Sequence, residues 1–137
     1  MKALRSAACG VALVGALLCV LHARSAVGQI SWSTAHPIQL EMIEYQFVPS
    51  ELRFRHGLPY RLHLRNTGHE GHDLTAPEFF ASLKLEGDAA LNESRTSVFL
   101  APGQQADIYF VPGKPGVFDL RCADHDWAGM TAKIIVE

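Results

Sequence analysis

The sequence lacks long hydrophobic stretches. The apolar run VALVGALLCVL at 11–21 has eleven residues, well short of the roughly 20 that cross a bilayer. Lys2 and Arg5 precede this run, and the small residues AVG follow it at 26–28. This pattern is typical of a secretory signal peptide. We therefore expect cleavage after Gly28 and export to the periplasm; an uncleaved N-terminal anchor is the alternative.

The sequence also has no excess of positive charge. The expected mature chain, residues 29–137, keeps nine of the 12 basic residues and all 14 acidic residues, which gives a net charge of −5. This balance argues against binding to nucleic acid or to anionic lipid. The length allows one domain. We divide the chain into a signal peptide at 1–28, an N-terminal arm at 29–37 and one domain at 38–137, and expect a monomer.

Cysteine is almost absent from the expected mature chain. Cys9 and Cys19 belong to the signal segment, so Cys122 has no partner for an intramolecular disulfide. A lone thiol in an oxidising compartment needs protection by burial or by a metal. Burial in the core is common for a free cysteine, but it does not account for the residues that follow Cys122.

Short alternating segments separated by turns dominate the expected domain. YRLHLRN at 60–66 alternates apolar and polar residues, as a half-buried strand does. VFDLRC at 117–122 alternates in the same way and directs Cys122 into the core. TAPEFFASLKLEG at 75–87 is the one stretch that predicts a short helix. The pattern indicates an all-β Greek-key sandwich.

The segment RCADHDWAGM at 121–130 brings a thiol, an imidazole and a thioether together. Two residues separate Cys122 from His125, and four separate His125 from Met130. Two histidines, one cysteine and a weak axial methionine are the ligand set of a blue-copper electron-transfer site. The segment supplies three of these four ligands.

A second histidine must come from another part of the chain. NTGHEGHDL at 66–74 follows the predicted strand YRLHLRN and contains His69 and His72. Three residues apart on an extended segment, the two imidazoles face opposite ways. One of them is therefore expected to bind the metal, and spacing alone leaves both as candidates.

These motifs resemble those of the cupredoxins, of the plastocyanin and pseudoazurin type. In that family a Cys-x2-His-x4-Met loop closes the copper site, and Cys122, His125 and Met130 match it. The family's upstream histidine follows an Asn and a Gly at the end of a strand, which favours His72. The resemblance covers about 38–137. It implies a cupredoxin-like β-sandwich and one type 1 copper per chain, bound by His72, Cys122, His125 and Met130.

The resemblance also implies an electron carrier without enzymatic activity. Its expected partners are redox proteins such as a c-type cytochrome or a periplasmic oxidoreductase. The ring edge of His125 would be exposed as the electron port, and Trp127 would either line that port or pack on the loop.

Two residues depart from the family pattern. Asp124 stands where relatives often have Pro, and Asp73 stands where they often have Asn. We expect Asp73 to accept a backbone N–H and so to support the ligand loops. Both carboxylates are expected to favour Cu(II) and to lower the reduction potential.

Other uses of the same residues fit less well. A structural zinc site usually takes four Cys or His ligands and would leave Met130 unexplained. A nucleophilic Cys–His enzyme needs an exposed thiol, whereas Cys122 is predicted to point inward. Multicopper oxidases and nitrite reductases usually carry His-x-His pairs, and none occurs here. A copper carrier or copper-resistance protein stays as the alternative function, although the mature chain has only Met42 and Met130 and no Met-rich or His-rich cluster.

We expect the remaining histidines and several acidic residues to be solvated. The histidines in this group are His36, His56 and His63, and the acidic residues are Glu70, Glu78, Asp124 and Asp126.

Overall fold

Alternating apolar residues build two facing β-sheets in the computed structural model, which describes residues 29–87 and 90–137. The predicted signal peptide at 1–28 lies outside these residues. The predicted all-β sandwich with one short helix is confirmed. Within the described ranges, no helix is long and apolar enough to cross a membrane.

Ten strands, one α-helix and two 3-10 helices, at Trp32–Thr34 and Asp126–Ala128, make up the regular structure of the described residues. In chain order the strands and the α-helix are β1 (His36–Ile43), β2 (Gln46–Val48), β3 (Glu51–Phe54), β4 (Tyr60–Asn66), β5 (His72–Thr75), α1 (Pro77–Ala81), β6 (Leu83–Leu85), β7 (Ser97–Leu100), β8 (Gln105–Pro112), β9 (Gly116–Arg121) and β10 (Thr131–Val136). One sheet has the order β2-β1-β4-β8-β6, and the other has the order β3-β10-β9-β5-β7.

The predicted alternation places the core residues. Leu62 and Leu64 of β4 are buried between the sheets, whereas Arg65 is exposed. Leu120 of β9 is buried. Cys122, two residues further along and just after the strand, also points inward and is fully buried. The inward direction predicted for Cys122 is therefore confirmed.

An aromatic cluster fills the core around β3, β4, β8 and α1. We use this name for Phe54, Tyr60, Phe79 and Phe110, all of which are buried. The ring centroid of Phe54 lies 4.9 Å from that of Tyr60, 5.2 Å from Phe110 and 5.7 Å from Phe79. The helix begins at Pro77, whose fixed φ suits the first helical position, and it carries Phe79 into this cluster.

Strand pairing brings the ends of several strands together at the end of the sandwich that lies away from the aromatic cluster. β1 and β4 run parallel, with Met42 opposite Asn66. The C-terminal ends of both strands therefore lie at the same end of the sandwich. β9 and β10 are antiparallel neighbours, with Arg121 opposite Thr131. The segment between them therefore forms a loop, and its two ends are fixed by the strands that flank it.

Candidate metal centre

The loop between β9 and β10 holds three of the predicted ligands. The backbone N–H of Cys122 donates to the carbonyl of Met130 (3.0 Å), and the N–H of His125 donates to the carbonyl of Cys122 (3.2 Å). A 3-10 turn at Asp126–Ala128 follows. It ends at Gly129, whose φ of +85° is a conformation that favours glycine. These bonds close a tight loop with Cys122 and Met130 both fully buried.

The fourth predicted ligand, His72, begins β5 and is fully buried. The segment before it is organised by Asn66, the last residue of β4. The side-chain amide of Asn66 donates to the carbonyls of Glu70 (2.7 Å) and Leu100 (2.9 Å), and its oxygen accepts the N–H of Gly68 (2.9 Å). Asn66 thereby fixes the chain that leads to His72.

His69 does not join the site. Its side chain is 97% exposed, whereas His72 is packed inside the sandwich. His69 lies in the bend at 68–70, where its ring faces solvent, whereas His72 begins β5 and faces inward. His36 and His56 are also exposed, and His63 pairs with Asp107 at 2.9 Å on the outer face of the sheet.

The donor atoms of three predicted ligands converge. The Nδ1 atoms of His72 and His125 are 3.2 Å apart, and the Cys122 sulfur is 3.4 Å from Nδ1 of His125. The donor atoms of these three residues all lie within 4.8 Å of one another. A metal about 2.0–2.1 Å from each imidazole nitrogen, at a near-tetrahedral angle, would separate the nitrogens by about 3.3 Å. The donor set therefore fits a single metal ion.

Asp73 ties the two ligand segments together. Its carboxylate accepts the backbone N–H of Ala123, with distances of 3.0 and 3.1 Å to the two oxygens, and it also accepts the hydroxyl of Thr75. Its own N–H donates to the sulfur of Cys122 (3.4 Å). The expectation that Asp73 accepts a backbone N–H is confirmed, and the thiol position is fixed as a result.

Burial disfavours the charged forms of Cys122 and His72. It raises the pKa of the Cys122 thiol, and the nearby N–H of Asp73 opposes this change only in part. Burial is also the main reason why the pKa of His72 is lowered, and the neighbouring His125 lowers it further. Metal binding displaces the thiol proton, so a soft metal would convert this neutral pair into a thiolate and an imidazole ligand.

The ring of His125 is less exposed than expected. Its side chain is only 14% exposed, because Glu70 and Tyr45 cover it. Glu70 Oε2 lies 3.1 Å from Nε2 of His125, and the Tyr45 ring centroid lies 5.0 Å from that of His125. The expectation that Glu70 is simply solvated is wrong, because it contacts this ring.

Trp127 lies on the outer side of the same loop. Its side chain is 77% exposed, and its indole N–H donates to the carbonyl of Asp124 (2.9 Å). Its ring centroid is 6.0 Å from that of Tyr45. Asp126 was also expected to be solvated, but it pairs with Arg121 at 2.6 Å. Tyr45 and Trp127 thus form an aromatic surface beside the site.

Sequence reasoning missed Glu44 and Tyr45. Glu44 follows β1, and its carboxylate accepts the N–H groups of His69 and Glu70, the latter at 2.9 Å. These backbone donors lower the pKa of Glu44 to about 2. The parallel pairing of β1 with β4 brings Glu44 to the ligand segment, and no motif around Glu44 indicates that pairing.

The comparisons with known proteins agree with this fold and this donor set. Residues 10–136 match the family model described as "Cupredoxin-like domain". The chain therefore belongs to the cupredoxin-like family, and the arrangement of His72, Cys122, His125 and Met130 is that of a type 1 copper site. No curated protein matches the chain in sequence.

Solved structures share the fold at low sequence identity. An auracyanin from Roseiflexus castenholzii is 16% identical over 75% of this chain and 98% of its own, with a TM-score of 0.56. Auracyanin A, a "blue" copper protein from Chloroflexus aurantiacus, is 14% identical over 74% of this chain and 98% of its own, with a TM-score of 0.54. Auracyanin B is 18% identical over 75% and 89% of the two chains, with a TM-score of 0.55.

Proposed function

We propose that this protein is an exported one-electron carrier that exchanges electrons with other redox proteins, and not an enzyme. The observation that carries the proposal is the convergence of three donor atoms within 4.8 Å, with Met130 buried in the same loop. Two imidazoles, a thiolate and a weak thioether are the ligands of electron-transfer copper. The family match supports the same class of site.

Each ligand has a definite task. Cys122 would hold copper as a thiolate, His72 and His125 would hold it through Nδ1, and Met130 would complete the set with its thioether. Bound copper supplies a one-electron couple between Cu(I) and Cu(II). The ligand positions are already fixed by hydrogen bonds between protein groups, such as that from Asp73 N–H to the Cys122 sulfur. A fixed ligand frame limits the rearrangement that accompanies a change of oxidation state.

The aromatic surface beside His125 suits brief contact with a partner. Tyr45 and Trp127 expose apolar area there, at 37% and 77%. Val117 is also exposed, at 66%, but it lies near the start of β9, at the other end of the strand from the ligand loop. This pair offers a matched comparison between a side chain near the site and one far from it.

Electron exchange with a cytochrome tests the proposal. The reduced protein is mixed with oxidised c-type cytochrome, and the rate is followed by the cytochrome absorbance. We expect second-order electron transfer that slows in Trp127→Ala and is unchanged in Val117→Ala. If the protein instead hands Cu(I) to an apo acceptor and exchanges no electrons, the copper-carrier function replaces this proposal. The burial of Cys122 and Met130 favours retention of the metal.

The export part of the proposal needs its own measurement. We expect the protein recovered from the periplasm of a Gram-negative host to begin at Gln29, as read by N-terminal sequencing. An intact N-terminus in the membrane fraction would show instead that 1–28 acts as an anchor.

A further inference from the structure

The two ligand histidines share an arrangement on their outer sides. Each turns Nδ1 toward the other donors, with 3.2 Å between the two Nδ1 atoms. Each therefore turns Nε2 away from the other donor atoms. The Nε2 of His125 faces Glu70 Oε2 at 3.1 Å, and the Nε2 of His72 faces Glu44 Oε1 at 3.7 Å. A carboxylate thus stands behind each imidazole.

The carboxylate behind His72 is held in place by backbone. Glu44 accepts N–H groups from His69 and Glu70, the latter at 2.9 Å. A Cβ atom at Gly68 would lie 2.3 Å from Glu44 Oε1, so the absence of a side chain at Gly68 makes room for this carboxylate. The Glu44 side chain is 24% exposed, which leaves it mostly covered while the backbone N–H groups fix its direction.

The outer nitrogen of His72 needs such a partner. Its Nε2 is buried and makes no hydrogen bond within the described residues. Buried polar nitrogens are normally hydrogen-bonded. Glu44 Oε1 is the facing carboxylate oxygen, and a shift of about 0.6 Å would bring the pair into the usual hydrogen-bond range.

The carboxylate behind His125 is also supported. The hydroxyl of Tyr45 donates to Glu70 Oε2 at 3.5 Å, and the Asn66 amide holds the Glu70 carbonyl at 2.7 Å. The Tyr45 ring packs against the His125 ring. Glu70 is therefore fixed at its backbone and guided at its side chain toward Nε2 of His125.

We propose that Glu44 and Glu70 are positioning residues, each accepting a hydrogen bond from Nε2–H of one ligand histidine and so fixing Nδ1 as its metal-facing atom. This inference rests on the proposed copper site. Carboxylates that hold the second nitrogen of a ligating histidine set its tautomer and ring orientation. Their negative charges also favour Cu(II) over Cu(I), because the oxidised ion carries the larger positive charge.

Imidazole NMR of the purified protein tests the hydrogen bonds. In the diamagnetic Cu(I) form, we expect Glu70→Ala to speed solvent exchange of the His125 Nε2–H by at least about tenfold, since hydrogen bonds to charged groups are strong. Glu70→Gln keeps an acceptor oxygen but loses the charge, so its exchange rate should lie between those of the parent protein and Glu70→Ala. Asp124→Asn removes a charge from the ligand loop without touching either imidazole, and it should leave the exchange rate unchanged. Equal exchange rates in Glu70→Ala and the parent protein would overturn the role of Glu70.

The role of Glu44 is tested by the Nε2–H resonance of His72. We expect the Nε2–H resonance of His72 to move upfield in Glu44→Gln, which keeps the acceptor for the N–H groups of His69 and Glu70 but weakens the bond to the imidazole. An unchanged resonance would overturn the role of Glu44. Absence of a thiolate-to-copper band in the parent protein would defeat the copper site itself. A normal band with unchanged histidine protons in the variants would defeat only this inference.

Discussion

The aromatic cluster and the donor cluster (His72, Cys122, His125 and Met130) occupy opposite ends of one sandwich. They differ in whether their side chains have all their partners within the protein. Tyr60 begins β4 and Asn66 ends it, a span of about 20 Å. At the Tyr60 end, rings pack on rings, and the one phenol hydroxyl accepts the N–H of Arg55 at 2.8 Å. At the Asn66 end, a thiol and two imidazoles face one another. The first end is complete without a ligand, whereas the second is arranged for one.

The comparison indicates how stability and function divide along the fold. Apolar contacts of the aromatic cluster favour the folded chain whether or not metal is present. The donor cluster instead buries polar groups, which costs free energy unless they gain partners. Hydrogen bonds from Asn66 hold the segment that leads to His72, and the N–H of Asp73 holds the Cys122 sulfur, before metal binds. Substitutions at the two ends should therefore have separable effects.

The largest expected effect is complete loss of the thiolate-to-copper absorption, and it distinguishes His72 from His69. His72→Gln should abolish the thiolate-to-copper absorption, because it removes a buried donor of the cluster. His69→Gln should leave that absorption unchanged, because the His69 side chain is 97% exposed. Absorption spectra of the two copper-loaded variants check this. Loss of the band in His69→Gln alone would reverse the assignment.

The next effect is confined to stability. Phe79→Ala should lower the free energy of unfolding by about 3–5 kcal/mol in both the metal-free and copper-loaded protein, because it leaves a cavity among packed rings. Phe79→Leu should cost less, because it leaves a smaller cavity. Urea unfolding measures both values. A change in the copper spectrum of folded Phe79→Leu would show that the two ends are coupled.

Copper itself should stabilise the chain. Free copper at 1,000 times its dissociation constant adds about 4 kcal/mol to the free energy of unfolding, if only the folded state binds. The increment should be the same in the parent protein and in Phe79→Leu, since the aromatic cluster and the donor cluster are far apart. Paired urea curves with and without copper measure it. A smaller increment in Phe79→Leu would contradict the separation.

The smallest effect concerns charge near the donor cluster. Asp73→Asn and Asp124→Asn should each raise the reduction potential, because each removes a negative charge that favours Cu(II). The rise should be larger for Asp73→Asn, since Asp73 contacts Ala123 and lies beside the Cys122 sulfur. Cyclic voltammetry of the two variants provides the values. If neither variant has a higher reduction potential than the parent protein, the electrostatic explanation is wrong.

The sequence predicts the features that depend on local spacing. Alternation in 60–66 predicts β4 and its buried face, and alternation in 117–122 predicts the inward thiol. The spacing from Cys122 to Met130 predicts a single ligand loop. These features follow from side-chain direction along one strand and from the length of one loop, so they need no knowledge of which strands are neighbours.

The features that the sequence does not reveal depend on contacts between distant segments. Glu44 reaches His72 because β1 pairs in parallel with β4, and nothing in the local pattern around Glu44 indicates that partner. Glu70 follows an exposed histidine and has the local appearance of a solvated acid. Its contact with His125 joins two loops that are 55 residues apart in the chain. The partial cover over His125 arises from the same contact and from Tyr45.

The proposed function depends on copper binding by the Cys122 thiolate within the donor cluster. The most direct test is the optical spectrum of the Cu(II)-loaded protein beside that of Cys122→Ser. We expect an intense blue or green band that disappears on reduction and is absent from Cys122→Ser. A weak, pale spectrum that is the same in both proteins would contradict the proposed copper binding by Cys122.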